Sequence, residues 1–511
     1  DVTYTTSSNA CAQTSTQSIT IAVPAVGFSY GGTTAFCTDG SDPSATITGT
    51  AGGTFTATPS GLTIDASTGT IDVSASAAAT YDVTYTPPAI EQLGSDIDGV
   101  ANADQFGCAV SMSNDGNRMV IGARFDDTPG TNAGSVEVYE YSSGSWTKMG
   151  STINGEAAND WFGCAVSMNG AGTRIVVGAT YNDGGGTNSG HVRVFDWNGT
   201  AWTQVGADID GEAADDRFGW AVSIDDAGDR IVIGAYYNDG GGSNSGHVRV
   251  YDLVGTTWTQ VGADINGEAA SDQFGYAVSI NGAGDRIVVG ARLNDGGGSN
   301  SGHVRVFDLV GTTWIQVGAD INGEAADDYF GTAVSMNGAG NRIVVGATSN
   351  DGNGSNSGHV RVYDLIGTTW TQVGADIDGE AASDQFGNAV SVNDAGDRII
   401  VGAKFNDPNG NSSGGHARVY DLVGTTWTQV GDDIDGEAAN DYFGSSVGIS
   451  ASGHRIAVGA TAGDNNSNVN TGDVKVFSLN TICTTPLSIT ISQPESANMS
   501  YDNTDYCTIG S

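Results

Sequence analysis

The sequence predicts an all-β protein: a seven-bladed β-propeller with an N-terminal immunoglobulin-like β-sandwich and partial flanking sandwich copies. Three observations lead there. A block of about 56 residues recurs seven times between Ile90 and Leu479, each copy marked by a Phe-Gly at Phe106, Phe162, Phe218, Phe274, Phe330, Phe386 or Phe443. Self-similarity at that period signals one supersecondary unit copied around a ring or along a solenoid. Each copy reads as four runs rich in β-branched residues separated by Gly, Asn and Asp, with no helical periodicity. Residues 9–87 carry short alternating runs between turn residues, the pattern of a sandwich.

From the N-terminus, DVTYT at residues 1–5 recurs at residues 82–86, so residues 1–8 read as the last strand of a preceding sandwich. Residues 9–87 form one complete copy, with SITIAV, ATITGT, GTFTATP, GTIDVSAS and ATYDVTYT as strands, and Pro87-Pro88 ends the last of them. Residues 88–481 are the propeller. Residues 482–511 begin a further sandwich, because the stretch from Cys483 parallels that from Cys11. Two readings of these ends stay open: an excerpt of a longer polypeptide, or a subunit that lends terminal strands to its neighbours. Cys11 with Cys37 and Cys483 with Cys507 flank equivalent stretches, which suggests two local disulfides and an oxidising compartment. Cys108 and Cys164 occupy one slot of adjacent repeats, and a bridge there depends on a Cα spacing that sequence does not supply.

Within a repeat, FGWAVSI, DRIVIGA, GHVRVYDL and TWTQVGADI give four antiparallel strands, a propeller blade. The array opens at Ile90 to Ile97 with IEQLGSDI, which matches a fourth strand, and the seventh repeat stops after its third, DVKVFSLN. The front of the array is thus expected to complete the last blade. That closure removes raw edges, and a solenoid has no need of it.

On FGxAVS, RIVVGA and GHVRVYD the repeat resembles the FG-GAP family, over nearly all of residues 90–480. The resemblance implies an extracellular propeller of the kind used in adhesion receptors and bacterial surface proteins. The chain departs from the calcium-binding members, which carry DxDxDG loops where this sequence has turns such as NGAGDR at Asn281 to Arg286. The flanking sandwich, on TAFCTDGSDPSATITGT and the run that follows it, is similar to domains repeated in very large cell-surface adhesins of Bacteroidota. That likeness implies type IX secretion, a cell-surface or filament location and no enzymatic activity.

Composition narrows the function classes. The 59 acidic residues outnumber 18 basic ones for a net charge of −41, so phosphate backbones and anionic bilayers are repelled. No apolar run approaches the ~20 residues of a membrane-spanning helix. The acidity reads either as solubility in an extracellular or saline setting or as oxygen-rich sites for a hard cation such as Ca2+.

The two richest loops, DGEAADD at Asp210 to Asp216 and NDGGGSNSG at Asn238 to Gly246, emerge on one face of a blade. Asp210, Glu212, Asp215 and Asp216 are the candidate metal ligands. The alternative is that Asp, Asn and Gly there only form turns. Residues that differ between copies gather on the same face. After the Phe-Gly they are Cys108, Cys164, Trp220, Tyr276, Thr332, Asn388 and Ser445, and before it they include Trp161, Arg217, Tyr329 and Tyr442. At the end of the second strand lie Arg124, Tyr181, Tyr236, Tyr237, Arg292 and Phe405. Trp161, Arg217, Trp220, Tyr236, Tyr276 and Tyr329 are the candidate ligand-binding residues, for stacking on sugars or anchoring a protein.

His191, His247, His303, His359 and His416 each open the third strand of a different blade, so they surround the disc and take a structural role. The Trp-Thr-Gln-Val copies at Trp202, Trp258, Trp370 and Trp427 read as outer-strand packing. No H-E-x-x-H, P-loop or C-x-x-C is present. The expected function is a non-enzymatic structural or adhesive segment of an extracellular filament or giant surface adhesin. Its partners would be neighbouring copies or further domains, head to tail, and surface glycans or proteins. The alternative is a calcium-dependent carbohydrate- or protein-binding propeller.

Overall fold

The computed structural model describes residues 27–38, 40–48, 53–86, 89–463, 470–479 and 487–492. The chain divides into two compact units, Asp1–Glu91 with Asn480–Ser511, and Gln92–Leu479. Described residues are β-strand and turn apart from one short 3-10 helix at Pro408–Gly410.

In the first unit, strands Gly27–Ser29 and Thr46–Thr48 pair in one sheet, and Ala35–Cys37, Leu487–Ser492, Ala79–Thr86 and Thr54–Thr58 lie in that order in another. Tyr30, Phe55, Ile71, Val73, Tyr81, Val83 and Tyr85 share a core with Ile489 and Ile491. Leu487–Ser492 was expected to open a further sandwich within 482–511; here it runs antiparallel to Ala79–Thr86 and parallel to Ala35–Cys37. The alternation of Ile489 and Ile491 suits this slot, since both side chains of that face are buried. GTIDVSAS forms no strand beyond a single bridge between Ile71 and Ile64. The Asp65 carboxylate accepts from the Ser67 and Thr68 amides and Asp72 from Ala75, and these local bonds displace a ladder. The proposed strands at 1–8 and 18–23 and the Pro87-Pro88 joint lie outside the described residues, as do Cys11, Cys483 and Cys507, so the Cys11–Cys37 and Cys483–Cys507 pairings do too.

The second unit is a series of seven antiparallel sheets built alike, consistent with a β-propeller. A middle copy shows the pattern: Phe274–Ile280, Arg286–Ala291, His303–Val310 and Thr313–Gln316 lie side by side. Arg286–Ala291 is buried from its second residue onward, which explains why RIVVGA is apolar without alternation: both faces of the sheet are covered by neighbours. Burying Ile287, Val288 and Val289 completely contributes on the order of 1.5–3 kcal/mol each. The expected fourth strand is split. Gly318, at φ 80°, interrupts it, and Ile321–Asn322 resumes pairing with the third strand. The Gln316 side chain closes the gap by donating to Asp320 at 2.7 Å.

The buried Phe, the close glycine approach and the Arg-to-carbonyl bond join neighbouring sheets in every copy, while the Arg–carboxylate pair and the outer Trp occur in all but the last, where Ser478 and Ile90 take their slots. Phe330 is fully buried among Val288, Val304 and Val306 of the preceding sheet. The glycine after it, at φ 89°, brings its carbonyl so close that a Cβ on Gly290 would lie 2.1 Å from it. Arg286 pairs with Asp308 within its own sheet and donates 2.8 Å to Gly340 O in the next. The Trp314 indole donates 3.2 Å to Val261 O, so the outer tryptophans are hydrogen-bonded links as well as packing residues.

These contacts recur between the last sheet and the first. A Cβ on Gly459 would lie 2.2 Å from Gly107 O, Arg455 donates 3.0 Å to Gly116 O, and Ser446 donates 2.8 Å to Gly107 O. The last sheet also takes strand Ile97–Asp98 beside Asp473–Leu479, and Leu93 N donates 2.7 Å to Val476 O. Ile97 and Phe106 share a core with Ala457, Val474 and Val476.

Candidate binding site

The first strands of all seven sheets border one cavity of about 250 Å³, lined by alanines and valines such as Ala165, Val166, Ala277 and Val278. At one end stand the residues that follow each Phe-Gly. The residue before each Phe-Gly is Gln105, Trp161, Arg217, Gln273, Tyr329, Gln385 or Tyr442, and all seven have φ between 53° and 61°. Large non-glycine side chains adopt this left-handed conformation at a cost of about 1–3 kcal/mol each, and seven in register mark a turn the fold imposes. The tight turn leaves Cys164 N bonded to Trp161 O and Tyr276 N to Gln273 O.

Five of the six candidate ligand-binding residues come together in two groups. Trp161 stacks on Tyr181 with centroids 4.0 Å apart, and Arg217 lies 3.7 Å above the other contact partner's ring, that of Tyr181. Trp220, Tyr236 and Tyr276 form a triangle with centroid distances of 4.9, 5.5 and 5.5 Å, extended by Tyr237 at 4.2 Å from Tyr236. Tyr329 has no aromatic contact, and its carbonyl accepts from Thr332 Oγ1. Phe405 and Tyr442 meet edge to face at 5.7 Å.

A second cavity, of about 290 Å³, opens beside the first and shares Cys108 and Ser445 with it. Its wall includes Arg124, Lys404, Phe405, Tyr442 and Thr461. Arg124 donates to Gln105 Oε1 and lies 5.0 Å from the Phe125 ring; Arg292 donates to Gln273 Oε1 and lies 3.9 Å from the Tyr276 ring. Lys404 sits 5.1 Å from the Phe405 ring. Burial holds its ammonium below the usual lysine range, and Arg124 and Arg292 add to the shift. Lys404 was not singled out from sequence. Its signal was there: it fills the same repeat slot as Arg124, Tyr236 and Arg292.

Of the four acidic candidates Asp210, Glu212, Asp215 and Asp216, Glu212 and Asp216 share one partner, the Asn238 side-chain amide, and the other two lie apart from it. Asp215 faces Arg217 at 3.6 Å and accepts from Asn188, whereas Asp216 is buried and accepts from Asn238 and the Ala213 amide. Asp210 begins no cluster with the other three; burial and Asp208 raise its carboxyl above the usual range. Glu212 also joins His247 and Asp264, one of five Glu-His-Asp groups whose ligating atoms lie within 4.8 Å. The others centre on His191, His303, His359 and His416. In three groups an arginine already supplies the cation: Arg249 binds Glu212 and Asp264, and Arg361 and Arg418 do likewise. In the other two the guanidinium lies over a phenylalanine, Arg193 at 4.3 Å from Phe162 and Arg305 at 4.4 Å from Phe274, and still pairs with the glutamate of its group, Glu156 at 3.5 Å and Glu268 at 3.3 Å. Burial, followed by the adjacent arginine, pushes all five imidazoles down to about 4, so they are neutral at pH 7. The Asn and Asp side chains of the long loops act as turn formers. Asn182 Oδ1 accepts from Gly184 N, and Asp183 Oδ1 from Asn188 N.

Cys108 and Cys164 are separate thiols. Each thiol has two backbone carbonyls within reach of its single proton, Gly122 and Gly163 for Cys108 and Gly178 and Gly219 for Cys164, and burial pushes Cys164 up to about 12.

Five stretches of the chain match the model of the FG-GAP repeat. They are residues 97–139, 152–195, 207–251, 266–307 and 322–363, each running from the end of one sheet's fourth strand to the third strand of the next. With the repeated antiparallel sheets they support an FG-GAP β-propeller. No curated protein gives a significant match to the chain. Among the described residues, no helix is long and apolar enough to cross a membrane.

Proposed function

We propose that the seven sheets are the blades of one closed seven-bladed propeller joined in sequence to immunoglobulin-like sandwiches, and that the chain is a non-enzymatic segment of an extracellular filament or large cell-surface adhesin. The observation that carries this reading is where the polar side chains go. In blade after blade the Arg-Asp pairs, indole N–H groups and loop carboxylates are consumed in holding strands and blades together. What is left over for recognition is a ring of non-identical residues at one end of the central cavity. Adhesion fits that arrangement better than turnover, which needs a converged set of reacting groups. FG-GAP repeats occur in extracellular and adhesive propellers, which supports the same reading. Neighbouring copies or further domains, head to tail, would be the structural partners.

Beads coated with the full chain and held in shear flow over glycan- and protein-coated surfaces test the proposal. Retention on at least one surface at shear that removes bare beads is expected. Detachment from every surface at the bare-bead threshold overturns it. The second reading, a calcium-dependent lectin-like propeller, is favoured by the cluster of Trp220, Tyr236, Tyr237 and Tyr276, of which Trp220 and Tyr237 are only half-buried. In the same assay it requires that a chelator abolish retention.

A further inference from the structure

Three slots of the repeat supply wall residues of the 290 Å³ cavity: the residue before Phe-Gly (Tyr442), the residue after it (Cys108 and Ser445), and the residue that follows Gly-Ala at the end of the second strand (Arg124, Lys404 and Thr461). Across seven copies they hold four cations, Arg124, Arg217, Arg292 and Lys404, and no carboxylate, in a chain with 59 acidic and 18 basic residues. Among the described residues no acidic side chain lines either cavity. Arg217 has Asp215, whereas Arg124, Arg292 and Lys404 have no carboxylate partner, although nearly every other cation among the described residues is ion-paired. Arg124 and Lys404 share the wall of the 290 Å³ cavity with the rings of Phe405 and Tyr442 and the hydroxyls of Ser445 and Thr461.

We infer that this cavity binds a sugar ring carrying a single carboxylate, such as the terminal uronic or sialic acid of a glycan. Arg124 and Lys404 take the carboxylate, the Phe405 and Tyr442 rings offer faces to the sugar's C–H groups, and Ser445 and Thr461 bond its hydroxyls. Uncompensated cations beside an apolar channel repel one another, and an entering anion relieves that repulsion in a partly desolvated setting where charge-assisted bonds are strong. The volume falls just below the usual span of ligand sites, about 300–1,000 Å³, and suits one ring rather than a folded peptide segment. The loops that follow Arg124 and Lys404 are acidic, with Asp127 and Asp407 exposed. A polyanion would meet those loops, but one carboxylate on a neutral glycan reaches the cations without crossing them at close range. This inference gives the adhesive reading a ligand class and rests on it only in that sense.

Calorimetric titration of the full chain in solution tests it apart from any bead adhesion. The probes are oligosaccharides ending in glucuronic, galacturonic or sialic acid, the methyl esters of the same compounds, acetate, and an Asp- and Glu-rich peptide. At least one acidic oligosaccharide should bind, its methyl ester should not, and acetate should fail to displace it. Lys404→Gln should weaken binding at least tenfold without lowering thermal stability, since it removes a repelled buried charge. Thr461→Asp, which places a carboxylate inside the wall, should abolish binding while the protein stays folded by circular dichroism. Absence of binding by every acidic oligosaccharide, equal binding of the methyl ester, unchanged affinity in the folded Lys404→Gln protein, or binding of the peptide alone would each overturn the inference. Adhesion of beads without saccharide binding would reject this ligand and leave the adhesive role standing.

Discussion

Replacing Gly290 with alanine measures how closely the blades approach. A Cβ there would sit 2.1 Å from Gly331 O, whereas ordinary contact begins near 3.4 Å, so the two sheets must part by roughly 1.3 Å. Separation on that scale loosens the Arg286 bond to Gly340 O and the Met336 N–H bond to Ser279 Oγ, at 2.8 and 3.1 Å in the native protein. Overpacking costs about 1–3 kcal/mol and each weakened bond about 1 kcal/mol, for a total of about 3–5 kcal/mol. Gly311→Ala is the control. Its φ is 67° with nothing within 4 Å, so only left-handed strain of about 1–2 kcal/mol applies. Urea denaturation followed by tryptophan fluorescence gives both values from midpoints at constant slope. A Gly290→Ala protein no less stable than Gly311→Ala would refute the close approach and the reason given for Phe-Gly.

Other expectations follow from the buried imidazoles, the thiols and the arginine-filled acidic groups. His247 is held near 4 in the fold against about 6.5 when unfolded, so the unfolded chain binds the extra proton between those values. Stability therefore falls as pH drops from 6.5 to 4, by about 3 kcal/mol for this residue, and His247→Gln should flatten that part of the urea-midpoint profile. Asp473, raised to about 7 by burial, works in the opposite direction in both proteins and cancels in the comparison. Iodoacetamide at pH 8 should leave Cys164 unmodified in the native protein and label it in denaturant; native labelling at the rate of a free thiol would contradict its burial. Because Arg249 occupies the Glu212 and Asp264 carboxylates, millimolar calcium should not move the melting midpoint. A cation bound at 100 times its Kd would add about 2.7 kcal/mol.

Much of this fold is legible in the sequence because each repeat states the same packing solution. Phe330 and Gly331 recur because one fills the gap between sheets and the other allows the backbone approach. The break at Gly318 was harder to see. TWIQVGADI keeps an apolar pattern through the bulge, and only the positive φ reveals the interruption. The acidic loops misled in a different way. Glu212 and Asp216 lie four residues apart and both accept from Asn238 Nδ2, while the other Glu212 oxygen reaches Arg249, so an amide and a guanidinium stand where a metal ion was expected. The sequence places Arg124 and Arg292 on one face, but Lys404 and the cationic character of the slot are obscured because its members are far apart in the chain. Arg124, Arg292 and Lys404 belong to the first, fourth and sixth copies, and only stacking the copies column by column puts them in one slot.

That slot becomes a site only if the first and last sheets meet. Asp98 and Asp473 are register partners in the strand pair that completes the last sheet. Directly opposed positions lie about 4.5–5.5 Å apart at Cα, within reach of a disulfide. In an Asp98→Cys, Asp473→Cys protein on a Cys108→Ser, Cys164→Ser background, mild oxidation should give a monomer in which non-reducing peptide mapping finds 98 joined to 473. Links between chains alone, or two free thiols after oxidation, would contradict the closed ring on which the account rests.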